Sequence, residues 1–142
     1  MENTTLFNPK NITIIEEPPT RILPDNVAKI SVIGVGGAGC NMVGHMINEG
    51  GNYRINMAIA NTDLQSLQIS KAPTKIQIGI QLTRGLGAGM KPEVGRDAAN
   101  ENYEDIKNAL AGSDIVFVAT GLGGGTGTGA AAVVASAAKE IG

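Results

Sequence analysis

The residues of this 142-residue chain that could do chemistry are mostly glycine and threonine. The run Gly121-Leu122-Gly123-Gly124-Gly125-Thr126-Gly127-Thr128-Gly129 holds six glycines in nine positions and two hydroxyl side chains. It lies between an apolar run, Ile115-Val116-Phe117-Val118-Ala119, and an alanine-rich segment from Ala130. Glycine lets the backbone turn sharply and brings main-chain N–H groups to a ligand with no side chain between. A helix start behind such a loop adds unpaired N–H groups and the positive end of its dipole. This combination suits an anion, above all a phosphate chain. The run contains no lysine or arginine, so amides, hydroxyls and a metal ion have to offset the negative charge.

A second run, Gly34-Val35-Gly36-Gly37-Ala38-Gly39, fits G-x-G-x-x-G, the dinucleotide-binding fingerprint when it follows a strand and opens a helix. Asp63 stands after the second strand candidate, where that reading places a ribose-binding carboxylate. One reading is therefore a nicotinamide-dependent oxidoreductase, although such an enzyme has no need of a second phosphate loop at residues 121–129. The lysine-dependent P-loop is excluded: it ends in Gly-Lys-Ser/Thr, and the chain has no Gly-Lys pair. Cys40 reads either as a thiol activated at a helix start or as a small packed residue. His45, the one histidine, has no visible partner for base catalysis. Glu93 and Asp97 read as acids favouring the positive end of their helix. No His/Cys cluster has metal-ligand spacing, so any metal is Mg²⁺ held mainly by phosphate and water.

These loops need elements to position them. Residues 1–26 carry four of the six prolines and no sustained periodicity, and read as a disordered extension with a short strand candidate at 12–15. From residue 27 the chain reads as part of a nucleotide-binding domain. Strands are expected at 29–35, 56–60, 75–80 and 115–119, the last apolar on both faces and so suited to burial between helix layers. Helices are expected at 41–49, 64–69, 93–110 and 130–141, with a glycine-rich loop at 85–91. Strands alternating with helices predict an α/β fold, a Rossmann-like doubly wound parallel sheet. Ligands bind such sheets beyond the C-terminal strand ends, where the loops at 34–40, 61–63, 85–95 and 121–129 all fall. The last helix candidate is capped by Gly142, and the fourth strand is expected near a sheet edge. The domain therefore reads as truncated, a fragment or a half needing a complement.

Composition narrows the classes. A formal charge of −2 and 3% aromatic residues give neither the basic surface nor the stacking rings of a nucleic-acid binder. No apolar run has membrane-spanning length, and the polar, proline-containing start is not a secretion signal. Asn3-Thr4-Thr5 and Asn11-Ile12-Thr13 match the glycosylation pattern but lack that signal. One cysteine fits a reducing cytoplasm.

The segment Gly123-Gly124-Gly125-Thr126-Gly127-Thr128-Gly129 resembles the phosphate loop of the tubulin/FtsZ superfamily. The resemblance also covers residues 33–41, Asn61-Thr62-Asp63 and residues 85–96, in the family's order, and runs from about residue 29 to 142. It is closer to the bacterial FtsZ branch than to eukaryotic tubulin. Ala38 and Cys40 in the first loop, and Met90-Lys91 in the third, depart from the commonest pattern, and Lys91 adds a cation near the third loop. The resemblance implies a GTP- and GDP-binding site. Gly36, Gly37, Ala38, Gly39, Cys40 and Asn41 would line the α- and β-phosphates and part of the nucleoside. Asn61, Thr62 and Asp63 would lie beside the phosphates and metal, and Ala88 and Gly89 would sense the γ-phosphate. Gly123, Gly124, Gly125, Thr126, Gly127, Thr128 and Gly129 would wrap the phosphate chain, with Thr126 and Thr128 supplying hydroxyls. It further implies a cytoskeletal GTPase that polymerises head to tail with itself and hydrolyses GTP across each junction. Such a protein would scaffold a mid-cell division ring in the cytoplasm, with accessory and membrane-tether proteins, no nucleic acid and no membrane insertion. The guanine-reading and water-activating residues would lie beyond Gly142, leaving no catalytic residue here and the 142-residue chain alone inactive. A non-catalytic interaction module remains a third reading.

Overall fold

The computed structural model describes residues 27–52 and 54–142; the extension expected at 1–26, with its strand candidate, lies outside them. β-branched and apolar runs form β1 (Ile30–Val35), β2 (Ile55–Asn61), β3 (Thr74–Gln77) and β4 (Ile115–Thr120). The four strands pair in parallel, in the order β3-β2-β1-β4. Between and after the strands come α1 (Gly36–Asn48), α2 (Leu64–Ile69), α3 (Ile80–Thr83), α4 (Pro92–Glu101), α5 (Tyr103–Leu110) and α6 (Thr126–Glu140).

Successive strand residues point to opposite faces, and both faces are covered. On one face Val32, Met57 and Ile59 pack with Val43 of α1 and Leu67 of α2. On the other, Ile33, Val35, Ala58 and Ala60 pack with Ala98, Ile106, Leu110, Val134 and Ala137 of α4, α5 and α6. Each fully buried isoleucine or leucine here contributes roughly 1.5–3 kcal/mol. The doubly wound parallel sheet expected from the alternation is present.

The fold departs from expectation in several places. The helix expected over 93–110 breaks at Asn102, whose Oδ1 accepts the Gly79 N–H at 2.9 Å and whose Nδ2 donates to Asp105. The third strand ends at Gln77 and gives way to α3, because Gly79 adopts φ +66. β4 is the outer strand, as expected, but one of its faces is covered only at its C-terminal end, where Gly39 of α1 packs on Ala119. Val116 and Val118 pack toward α6, while Ile115 and Phe117 on the other face remain 45% and 57% exposed.

The chain winds outward from β1 through β2 to β3, then returns to place β4 on the other side of β1. The reversal lies between β1 and β4, where doubly wound sheets bind their ligands. The two longest glycine runs follow these two strands.

Candidate phosphate-binding site

α1 and α6 begin inside the glycine runs, at Gly36 and Thr126, five and four residues earlier than expected. Neither has a side-chain cap or an acidic residue in its first turn. Their first-turn N–H groups therefore have no intrahelical partner. α2 shows the contrast: Asp63 caps it, accepting from the Gln65 and Ser66 N–H groups. Glu93 sits in the first turn of α4 and Asp97 pairs with Arg96, so they form no acid pair.

The two uncapped starts are held together by close backbone contact. Gly36 has φ +73, and a Cβ there would stand 2.7 Å from the Gly127 nitrogen. Glycine is required on both counts. Thr120 Oγ1 donates to the Val35 carbonyl at 3.2 Å, tying the ends of β4 and β1. Between the loops lies a cleft of about 330 Å³ lined by Val35, Gly37, Ala38, Gly121, Leu122 and Gly124 to Gly127. At Gly37 and Gly124 a Cβ would meet nothing within 4 Å. Packing does not demand glycine there, and the space against the backbone is open to the cleft.

The other loops close around this cleft. Asn61 is buried, and its Oδ1 accepts the Thr62 N–H at 2.9 Å and the Asp63 N–H at 3.3 Å. Thr62 Oγ1 lies 2.7 Å from Thr126 Oγ1. Thr128 Oγ1 accepts the Gly123 N–H at 2.9 Å and keeps its own proton to donate. Asp63 is committed to α2: its Oδ2 also accepts from Ser66 Oγ at 2.8 Å. That hydrogen bond holds its carboxyl below the usual aspartate range. The third loop packs against the fourth, since a Cβ on Gly125 would stand 2.9 Å from that of Ala88. Gly89 and Met90 both adopt positive φ at the exposed tip. Lys91 is the exposed residue preceding α4, and its N–H donates to the Ala88 carbonyl at 3.1 Å.

Cys40 is buried, its thiol directed at the Gly34 and Ala60 carbonyls. Burial raises its pKa to about 11, so the packed-residue reading holds and the activated-thiol reading fails. Asn41 and His45 are exposed along the groove between α1 and α2.

Two positions escaped the sequence reading. Gly95 lies mid-helix, where glycine costs about 1 kcal/mol relative to alanine. Its reason is the crossing of α4 and α6: a Cβ on Gly95 would collide with the Gly125 carbonyl, and one on Gly129 with the Pro92 carbonyl. The helix-interior glycine was the available signal. Thr83, whose Oγ1 reaches the Thr62 carbonyl at 3.3 Å, gave none.

The fold and site define a doubly wound α/β domain with a glycine-lined cleft at its switch point, its walls built from main chain rather than from lysine. The chain belongs to the Tubulin/FtsZ family, whose GTPase domain matches residues 29–142. An FtsZ dimer from M. jannaschii shares 46% identity with a TM-score of 0.80, over 96% of this chain and 38% of that one. The W319Y mutant of M. jannaschii FtsZ shares 52% identity with a TM-score of 0.78, over 81% and 34%. CetZ2 from Haloferax volcanii, a GTPγS-bound protofilament, shares 28% identity with a TM-score of 0.71, over 80% and 36%. The chain thus spans little more than a third of these relatives. The oxidoreductase reading of Gly34 to Gly39 gains no support from them.

Proposed function

We propose that the protein carrying this chain binds GTP and GDP, polymerises head to tail, and hydrolyses GTP at the junction between subunits. The observation that carries this reading is the pair of uncapped helix starts, α1 and α6, facing one cleft whose glycines leave space for a ligand. In it, Gly36 to Asn41 receive the α- and β-phosphates, and Gly123 to Gly129 wrap the chain. Asn61 to Asp63 back the phosphate loops from behind, Thr62 buried out of a nucleotide's reach and Asp63 held by α2 rather than beside the phosphates, and Ala88 and Gly89 stand at the γ-phosphate. Mg²⁺ would neutralise phosphate charge. Among the described residues no group of three or more His, Cys, Asp or Glu is placed to hold a metal, so its ligands would come from phosphate and water.

Self-association is supported by the dimer and protofilament relatives. We place the chain in the FtsZ branch, acting in cytoplasmic cell division at mid-cell with accessory and tether proteins. The bacterial assignment is the finest form of that proposal. Among the described residues no helix is long and apolar enough to cross a membrane. Calorimetry of the complete protein with GTP, ATP and NAD tests the reading. Binding of GTP over ATP is expected, and preference for NAD would return the site to oxidoreductase chemistry. The 142-residue chain alone should show no turnover, and steady phosphate release from it would overturn the junction mechanism.

A further inference from the structure

Thr62 is fully buried, so a nucleotide in the cleft cannot reach it. It nevertheless bonds both the start of α6 and the third loop. Its Oγ1 lies 2.7 Å from Thr126 Oγ1. Its carbonyl accepts the Gly87 N–H at 3.3 Å and shares the Thr83 hydroxyl proton, at 3.3 Å, with the Gly79 carbonyl at 3.0 Å. Beside it, the Leu64 N–H donates to the Gly85 carbonyl at 3.1 Å. We propose that Thr62 is a positioning residue: it fixes the direction of the Thr126 hydroxyl and couples the phosphate loop to the third loop. This rests on the GTP-binding reading above.

A threonine hydroxyl has one proton to donate and two lone pairs. Thr126 opens α6 and lines the cleft. A phosphate oxygen there can only accept, so Thr126 gives it the proton and must accept from its other partner. That partner is Thr62, which then has to be the donor. A ligand therefore sets the polarity of a buried bond, and the residue holding that bond also carries Gly87 on its carbonyl. Any shift of Thr126 on loss of the ligand is transmitted to residues 85–91 through one residue.

The test uses the complete protein with Thr62→Val, Thr62→Ser, Thr126→Val and the Thr62/Thr126 double valine variant. Dissociation constants for GTP and GDP, and amide hydrogen exchange of residues 85–91 with and without nucleotide, are measured beside thermal midpoints. Thr62→Val should bind GTP about tenfold more weakly, the scale of one hydrogen bond. It should also lose nucleotide-dependent protection of residues 85–91. Thr62→Ser should stay within about twofold of wild type. The double variant should be no worse than the weaker single variant. Wild-type affinity in Thr62→Val, or additive losses in the double variant, overturns the proposal. If Thr62→Val does not fold, Thr126→Val removes the same bond from the other side, and unaltered nucleotide-dependent protection of residues 85–91 in it is equally fatal. A wild-type protein that binds no GTP is a different result: it overturns the functional reading and this inference with it.

Discussion

Gly37 and Gly124 have open space where a side chain would stand, whereas Gly95 and Gly129 would collide with backbone. The two pairs should therefore separate binding from stability. Gly37→Ala and Gly124→Ala are expected to leave thermal stability intact or raise it by about 0.4–1 kcal/mol, while weakening GTP on the order of tenfold by filling the space against the backbone. Gly129→Ala should instead lose roughly 1–3 kcal/mol by overpacking the α4–α6 crossing. Calorimetric melting and GTP titration of both sets check this. Cys40 makes a prediction in pH. Its folded pKa of about 11 exceeds the ordinary value of 9.0, so the folded state keeps a proton the unfolded chain loses. Stability should then fall as pH rises from about 9 to 11, and Cys40→Ser should flatten that slope in denaturant titrations. For the same reason, the native thiol should resist alkylation at pH 8 and react on unfolding.

At the scale of elements, capping divides the helices. Asp63 closes the start of α2, and Asp63→Ala should cost about 1 kcal/mol of stability. Its lowered folded pKa means that this contribution is complete above the ordinary carboxyl range. It is lost as pH falls through the folded value, a difference visible by comparing wild-type and Asp63→Ala melting across that range. The span of α2 was legible in sequence, at 64–69, whereas the capping role of Asp63 was hidden behind the ligand contact that a carboxylate there also fits. The starts of α1 and α6 were not legible: glycine reads as loop, and these helices begin where glycine is needed for reasons outside the helix. The break at Asn102 was hidden because its partner, the Gly79 N–H, lies 23 residues away, beyond any periodicity within the segment. The four loops of the candidate site were identified from spacing and resemblance, but the engagement of Thr62 with Thr126 and Thr83 required the folded arrangement.

For the whole molecule, the alternation of strands and helices was enough to give the parallel sheet, since crossover connections admit few alternatives. What alternation did not carry was the coverage of β4, which depends on what lies beside it. Ile115 and Phe117 are exposed on one face of that outer strand, and an exposed apolar patch invites association. The 142-residue chain on its own should therefore associate with rising concentration in sedimentation experiments, and Phe117→Lys should reduce that association while leaving the melting temperature nearly unchanged. The cleft itself has a further consequence. Its walls contribute dipoles, and none of the residues lining it is lysine or arginine. Mobile ions screen interactions between full charges over about 10 Å at 0.1 M, but they intervene little in an N–H group touching an oxygen. Nucleotide affinity should thus be nearly flat across a wide range of monovalent salt, leaving the site to work alike in dilute and concentrated interiors.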